Sequence, residues 1–168
     1  MRRFLDGLYR FSSLVAGLLV VFIFVIILAQ IVGRQFGVAI PSANELSGFA
    51  MAGAVFFALA PTLRAGAHIR VGVLIRRLQG RARRGLELLV SGFSLLASGY
   101  AAVQLWRLVL DSYRYGDLAP GLLPLPIWIP QSLLAVGLTI FTIALADTLG
   151  ALLRGELPGY LAEGGGQE

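Results

Sequence analysis

The sequence predicts an all-α integral membrane protein with four transmembrane helices, and three observations lead to this prediction. Hydrophobic residues make up 57% of the 168-residue chain and charged residues only 14%, with a mean hydropathy of +0.80. An ordinary soluble domain carries roughly 25% charged residues, so much of this chain must face lipid. Four long apolar runs follow one another. Charge is distributed unevenly between them, as in proteins whose arginines set membrane topology.

The first apolar run predicts a transmembrane helix at about residues 11–33, between Arg10 and Arg34. The apolar core of a signal peptide has only about 7–15 residues and precedes a small-residue cleavage site. This run is longer, and no such site follows it. We therefore expect a retained helix.

The second run, residues 46–63, predicts a helix that opens after Asn44 and Glu45 and closes at Arg64. At 1.5 Å per residue, such a run spans about 27 Å, close to the hydrocarbon thickness of a bilayer. Charge inside hydrocarbon is expensive, so Glu45 and Arg64 should mark the two membrane faces. Asn44 is the expected helix cap.

The connection after Arg64 predicts a short interfacial helix at about residues 69–79. Its apolar residues recur at helical spacing: Val71, Leu74, Ile75 and Leu78. A basic amphipathic helix of this kind lies flat at the membrane surface, with anionic lipid head groups near its arginines. The candidate lipid-facing residues are Arg76, Arg77 and Arg81.

The third and fourth helices are predicted at about residues 88–106 and 130–153. Closely spaced prolines precede the fourth helix, and prolines are not tolerated in a helix interior; they are Pro120, Pro124, Pro126 and Pro130. We expect irregular structure over residues 116–129, with Trp128 as an interfacial anchor. The Gly-rich, acidic residues 154–168 should form a flexible tail.

The arginines predict that both termini lie in the cytoplasm. The chain contains no Lys, and the predicted cytoplasmic side carries eleven of its fourteen Arg residues. The opposite side carries only Arg34, Arg107 and Arg114. Positive residues favour the cytoplasmic side, and an even number of crossings returns the chain to it. Because the arginines accompany apolar runs, we expect no nucleic-acid partner.

The residue types that most often perform catalysis or bind metals and cofactors are scarce in this chain. Without Cys the chain has no thiol or disulfide chemistry, and its one His argues against haem or zinc ligation. No carboxylate lies in the middle of any apolar run, where a carrier usually keeps its coupling residue. We expect no catalytic, substrate-binding or metal-binding residues and no cofactor in this chain.

The candidate functional residues lie at the two ends of the second helix and at the start of the connection that follows it: Asn44, Glu45, Arg64, Gly66, His68 and Arg70. Two interpretations remain open for them. They either set the depth of the helix in the membrane or contact a partner subunit. For the small residues of the second and third runs, packing within the chain and against another subunit are both open.

Three stretches resemble the small membrane subunit (DctQ-type) of tripartite ATP-independent periplasmic (TRAP) transporters. They are Asn44-Glu45-Leu46, Leu63-Arg64-x-Gly66-x-His68-Ile69-x-Val71, and Leu123-Pro124-Leu125-Pro126-x-Trp128-Ile129-Pro130. The resemblance spans roughly residues 8–153. Gly72 departs from the family pattern, in which an acidic residue is common at this position.

The resemblance implies a function that composition alone does not. In such systems a periplasmic binding protein captures a small organic acid, and a large membrane subunit (DctM-type) imports it with a sodium gradient. The small subunit is a non-catalytic scaffold in the bacterial inner membrane that binds and stabilises the large subunit of an elevator-type carrier. Substrate and sodium ligands would then belong to the large subunit.

Three alternatives compete with this interpretation. A small autonomous four-helix exporter would need a membrane-embedded carboxylate, which the apolar runs lack. An unrelated membrane scaffold protein would share the helices but not the three motif stretches. An integral membrane enzyme is disfavoured because no nucleophile–base pair, metal cluster or nucleotide loop is present in the sequence.

Overall fold

The computed structural model describes residues 2–38, 40–65, 81–121 and 124–154. Within these ranges it contains four helices, numbered here in chain order: α1 (Arg2–Gln35), α2 (Ala43–Arg64), α3 (Arg81–Tyr115) and α4 (Trp128–Leu153). All four are long and apolar enough to cross a membrane, which confirms the prediction of an all-helical chain with four helices of transmembrane length. The predicted interfacial helix at residues 69–79 and most of the tail lie outside the described residues.

Two helices extend well beyond their apolar runs. α1 has 34 residues and α3 has 35, so each is about 50 Å long, whereas the hydrocarbon layer is about 30 Å thick. The helices continue into their polar flanks because Arg, Leu and Glu are good helix formers. The apolar runs therefore mark the membrane-embedded part of each helix rather than its ends.

The helices pack in the order α1–α2–α4–α3. α1 packs on α2, α2 on α4, and α4 on α3, whereas α1 barely touches α4. Burial follows this order: one third of the apolar span is buried in α2 and in α4, but only 6% in α1 and 17% in α3. The core lies between α1, α2 and α4, around Phe57, Ala60, Ile140 and Ala144.

α2 and α4 approach each other closely at Gly137. A methyl group at this position would lie 2.8 Å from the carbonyl carbon of Phe56 and 3.0 Å from the backbone nitrogen of Phe57. Because these are backbone atoms, no side-chain rotation would relieve the overlap. The absence of a side chain at Gly137 thus sets the distance between the two central helices, as small residues do in many membrane bundles.

A buried hydrogen bond joins α1 to α2 where the hydrogen bonding of α2 is interrupted. Pro61 lies inside α2 and has no N–H, so the carbonyl of Phe57, four residues earlier, lacks its usual donor. The Ser12 hydroxyl of α1 donates to this carbonyl over 2.5 Å. Ser12 is fully buried, and its hydroxyl replaces the missing backbone donor.

The connections at the predicted periplasmic end have defined conformations. After the end of α1 at Gln35 the chain turns at Gly37, whose φ of 70° is strained for other residues. The N–H of Val38 donates to the Gly33 carbonyl over 2.8 Å, which completes a Schellman motif. Between α3 and α4 the chain is irregular but hydrogen-bonded across itself, with the Ile127 N–H 3.0 Å from the Asp117 carbonyl oxygen.

Candidate functional site

The candidate residues lie at the two ends of α2. The structure describes Asn44 and Glu45 at its start and Arg64 at its end. Gly66, His68, Arg70, Arg76 and Arg77 lie outside the described residues. Arg81 is the first residue of α3, and its side chain is likewise outside the description.

Arg64 holds the end of α2 against the start of α1. Its guanidinium forms an ion pair with Asp6 and lies over the ring of Tyr9, 5.2 Å from the ring centroid. The Arg64 and Asp6 side chains are 53% and 42% exposed, and at such exposure an ion pair contributes at most about 1 kcal/mol. The cation–π contact adds roughly 0.5–1 kcal/mol. Arg64 therefore has an intrachain structural role.

Tyr9 brings three helices together at this end. It is buried and packs in one apolar cluster with Phe57 of α2 and Ile140 of α4. We call Asp6, Tyr9 and Arg64, together with this packing on α4, the α1–α2–α4 clamp. The sequence pattern indicated Arg64 as a candidate but not Asp6. The available signal was that Asp6 is the only carboxylate before the first apolar run, on the same predicted membrane side as Arg64.

At the opposite end, Glu45 lies in the first turn of α2, where the helix dipole favours a negative charge. Its Oε2 atom is buried and has no hydrogen-bond partner among the described residues. Gly121, in the α3–α4 connection, packs directly on the carboxylate, and a methyl group at position 121 would overlap it. The connection thus covers the Glu45 side chain.

Asn44 is not the helix cap. The N-cap residue is Ser42, which adopts a left-handed conformation with φ 57° and makes no side-chain capping bond. Asn44 is exposed within the first turn. Both residue types favour caps, so composition alone did not decide between them.

Two further buried oxygens near the starts of α2 and α4 lack partners in the described part of the chain: Ser47 Oγ and Gln131 Oε1. An unpaired buried polar atom costs about 1–3 kcal/mol. Together with Glu45, these atoms give the predicted periplasmic end unsatisfied hydrogen-bonding capacity. Of these three residues, the sequence indicated only Glu45 as a candidate.

The apolar spans of the helices contain side chains suited to packing rather than to ligand binding. No ionisable residue lies between Arg10 and Arg34, or between Glu45 and Arg64. In the described residues no three His, Cys, Asp or Glu side chains are grouped so that they could hold a metal ion. Three threonine hydroxyls of α4 donate to carbonyls of their own helix: Thr139, Thr142 and Thr148.

Aromatic side chains tie α3 to α4. The Trp106 indole N–H donates to the Thr139 hydroxyl over 3.1 Å. Nearer the predicted periplasmic end, Tyr113 and Trp128 pack edge to face with ring centroids 5.6 Å apart. Tyr113 and Trp128 lie where an interfacial aromatic belt is expected.

Comparison with known protein families identifies a match that covers most of the chain. The family model described as tripartite ATP-independent periplasmic transporters, DctQ component, matches residues 23–155. No curated protein and no solved structure matches the chain. The matched region contains every candidate residue from Asn44 to Arg81, whereas Asp6, Tyr9 and Ser12 precede it.

Proposed function

The chain belongs to the DctQ family, the small membrane component of TRAP transporters, and on this basis we propose that it is the static scaffold subunit of a sodium-coupled importer of a small organic acid. As a family member it is a multi-pass membrane protein. It works with a large membrane subunit and a periplasmic binding protein.

The observation that carries the scaffold role is the absence of Asp, Glu, Lys, Arg and His from the middle of all four apolar spans. Coupled transport needs charged or polar ligands at depth in the membrane. In this proposal the large subunit supplies them, along with the substrate and sodium sites. The small subunit supplies a fixed wall in the bilayer, against which the transport domain of the large subunit moves as an elevator.

The orientation belongs to the same proposal. Eleven arginines favour a cytoplasmic location for both termini and for the connection between α2 and α3. Arg76, Arg77 and Arg81 then lie near the anionic head groups of the inner leaflet of the bacterial inner membrane. Glu45 faces the periplasmic end, and Arg64 and the clamp face the cytoplasm.

The scaffold role is tested by reconstituting the large subunit in liposomes with and without this chain, with the periplasmic binding protein outside. We expect labelled organic acid to enter along an inward sodium gradient only when this chain is present. The large subunit must elute as a folded species in both samples. Full uptake without this chain would refute the required scaffold.

The orientation is tested by cysteine labelling, because the chain has no Cys of its own. Tyr115→Cys and Arg154→Cys place single thiols at exposed positions near opposite ends of the bundle. In intact cells with a permeabilised outer membrane, an impermeant maleimide should label position 115 and leave position 154 unlabelled until the inner membrane is broken. The reverse result would invert the orientation.

A further inference from the structure

α3 presents a stripe of large side chains that point away from the other three helices. Leu89, Phe93, Leu96 and Tyr100 are 73%, 76%, 75% and 69% exposed, and their spacing places them on one helix face. The buried residues of α3 lie on the opposite face, towards α4: Ser91, Ser98, Ala102, Val109 and Ser112. We call the exposed residues Leu89, Phe93, Leu96 and Tyr100, together with Gln104 and Arg107, the α3 outer stripe.

A chain of hydrogen bonds runs along this stripe into the apolar span. Arg107 Nη1 donates to Gln104 Oε1 over 3.4 Å, and Gln104 Nε2 donates to the Tyr100 hydroxyl oxygen over 2.8 Å. Each group donates to the next, so the Tyr100 O–H remains as a donor. No acceptor for it is found in the described residues. Tyr100 lies about 10 Å deeper than Arg107 along the helix axis.

Lipid does not satisfy such a donor. Hydrocarbon offers no acceptor, so polar groups at membrane depth are normally paired within the protein. The threonine hydroxyls of α4 follow this rule, since they donate to their own helix, as with Thr142 and Leu138 over 2.9 Å. Tyr100 points away from the other three described helices and has no such solution within them.

α1 provides the contrast. Its outer stripe consists of aliphatic side chains that are 43–60% exposed and carry no polar atom: Leu14, Leu18, Val21, Val25 and Leu28. Lipid tails suit such a surface fully. The two outer helices of the bundle therefore face different environments.

An interfacial location does not explain Tyr100. The aromatic residues typical of a membrane interface lie at the end of α3 and the start of α4, at Tyr113, Tyr115 and Trp128. Tyr100 lies six residues, about 9 Å, inside the end of the apolar run at Trp106, and twelve residues from its start at Leu88. It therefore lies well inside the apolar span and outside that belt.

We propose that the α3 outer stripe is the surface that docks on the large membrane subunit, and that the Tyr100 O–H donates to an acceptor on that subunit. The α1 outer stripe faces lipid. This assignment rests on the proposed function, because it takes the large subunit as the partner of this chain.

Photo-crosslinking in the assembled transporter tests the surface. p-Benzoylphenylalanine is placed at Leu96 in α3 or, as the matched control, at Val21 in α1; both positions are exposed and central in their apolar spans. The subunits are co-expressed and irradiated in native membranes. We expect an adduct with the large subunit from position 96 and none from position 21.

The other crosslinking outcomes overturn the assignment. An adduct with the large subunit from position 21 alone would move the docking surface to α1. From position 96, an adduct with lipid only, or with a second copy of this chain, would also refute it. Co-purification of the unsubstituted subunits distinguishes failure of the proposed docking surface from failure of the proposed partnership. If they co-purify, only the surface is wrong, whereas if they do not, the proposed partnership fails as well.

The hydrogen bond has its own test. Tyr100→Phe keeps the ring and removes the donor, and Tyr115→Phe is the matched control at an exposed tyrosine outside the apolar span. We expect Tyr100→Phe to weaken association with the large subunit about threefold, as for interhelical hydrogen bonds in other membrane proteins. Fluorescence titration of detergent-solubilised subunits measures this. Equal affinities of the two variants would overturn the role of the hydroxyl.

Discussion

The hydrogen bond from Ser12 to the Phe57 carbonyl makes a quantitative prediction. Pro61 removes the normal donor of this carbonyl, and the Ser12 hydroxyl replaces it inside the bundle. Ser12→Ala leaves a buried carbonyl unpaired and should lower the free energy of unfolding by about 1–2 kcal/mol. In a Pro61→Ala background, the N–H of residue 61 again donates to Phe57. There Ser12→Ala should cost about 0.5 kcal/mol or less.

The assay is a double-mutant cycle on the purified subunit. Unfolding is followed by helical circular dichroism during titration of mixed micelles with SDS, for the parent, both single variants and the double variant. The expected coupling between positions 12 and 61 is about 1 kcal/mol. Such coupling identifies the shared carbonyl as the link, because a simple loss of packing at Ser12 would be the same in both backgrounds.

Ser98→Ala is the control. Ser98 is also buried, but its hydroxyl donates over 3.2 Å to the Leu95 carbonyl of its own helix. No proline follows Leu95 at the fourth position, so that carbonyl keeps a backbone donor. The change should cost about 0.5 kcal/mol or less. Two results would refute the reasoning: equal costs of Ser12→Ala in the parent and in the Pro61→Ala background, or equal costs at Ser12 and Ser98.

Three further predictions use the same unfolding assay. Gly137→Ala should be less stable than Gly48→Ala by about 1–3 kcal/mol. The reason is that a methyl group at Gly137 meets the α2 backbone, whereas one at Gly48 meets open space. Equal stabilities of the two variants would contradict the close approach of α2 and α4. Arg64→Gln should cost at most about 1–2 kcal/mol and lose most of its effect in high salt, whereas a large cost independent of salt would exclude an exposed ion pair. Gly121→Ala should destabilise the parent but be tolerated in a Glu45→Ala background, where the carboxylate that the methyl overlaps is gone; additive costs would disprove their contact.

The sequence predicted the four crossings because hydrophobicity reports which segments lie in lipid. It did not predict the packing order, because hydrophobicity does not separate a lipid-facing side chain from one in the core. α1 illustrates this limit: it has the most apolar span of the four and the least buried one. In membranes, helix contacts depend on small residues and polar pairs on both partners, and these become visible only when the helices are placed together.

For the candidate site, the sequence likewise predicted individual residues but not their contacts. Glu45 and Arg64 could be found because each interrupts an apolar pattern at a membrane boundary. Their contacts with Gly121 and Asp6 could not, since both partners are distant in sequence and ordinary in composition. For Ser12 the sequence provided only a weak indication: Pro61 leaves a carbonyl of α2 without its backbone donor, and Ser12 is one of the hydroxyl residues that could replace it.

The position of α1 at the outer edge of the bundle gives its polar contacts with α2 a specific role. With α3 docked on the large subunit, α1 is the helix farthest from it, held by α2 and surrounded by lipid. The Ser12 hydrogen bond and the Arg64–Asp6 ion pair both join α1 to α2, where no partner subunit helps. Ser12→Ala combined with Arg64→Gln should therefore expose α1 to proteolysis or faster hydrogen exchange without reducing co-purification with the large subunit. Loss of co-purification in that double variant would mean that α1 itself contributes to the docking surface.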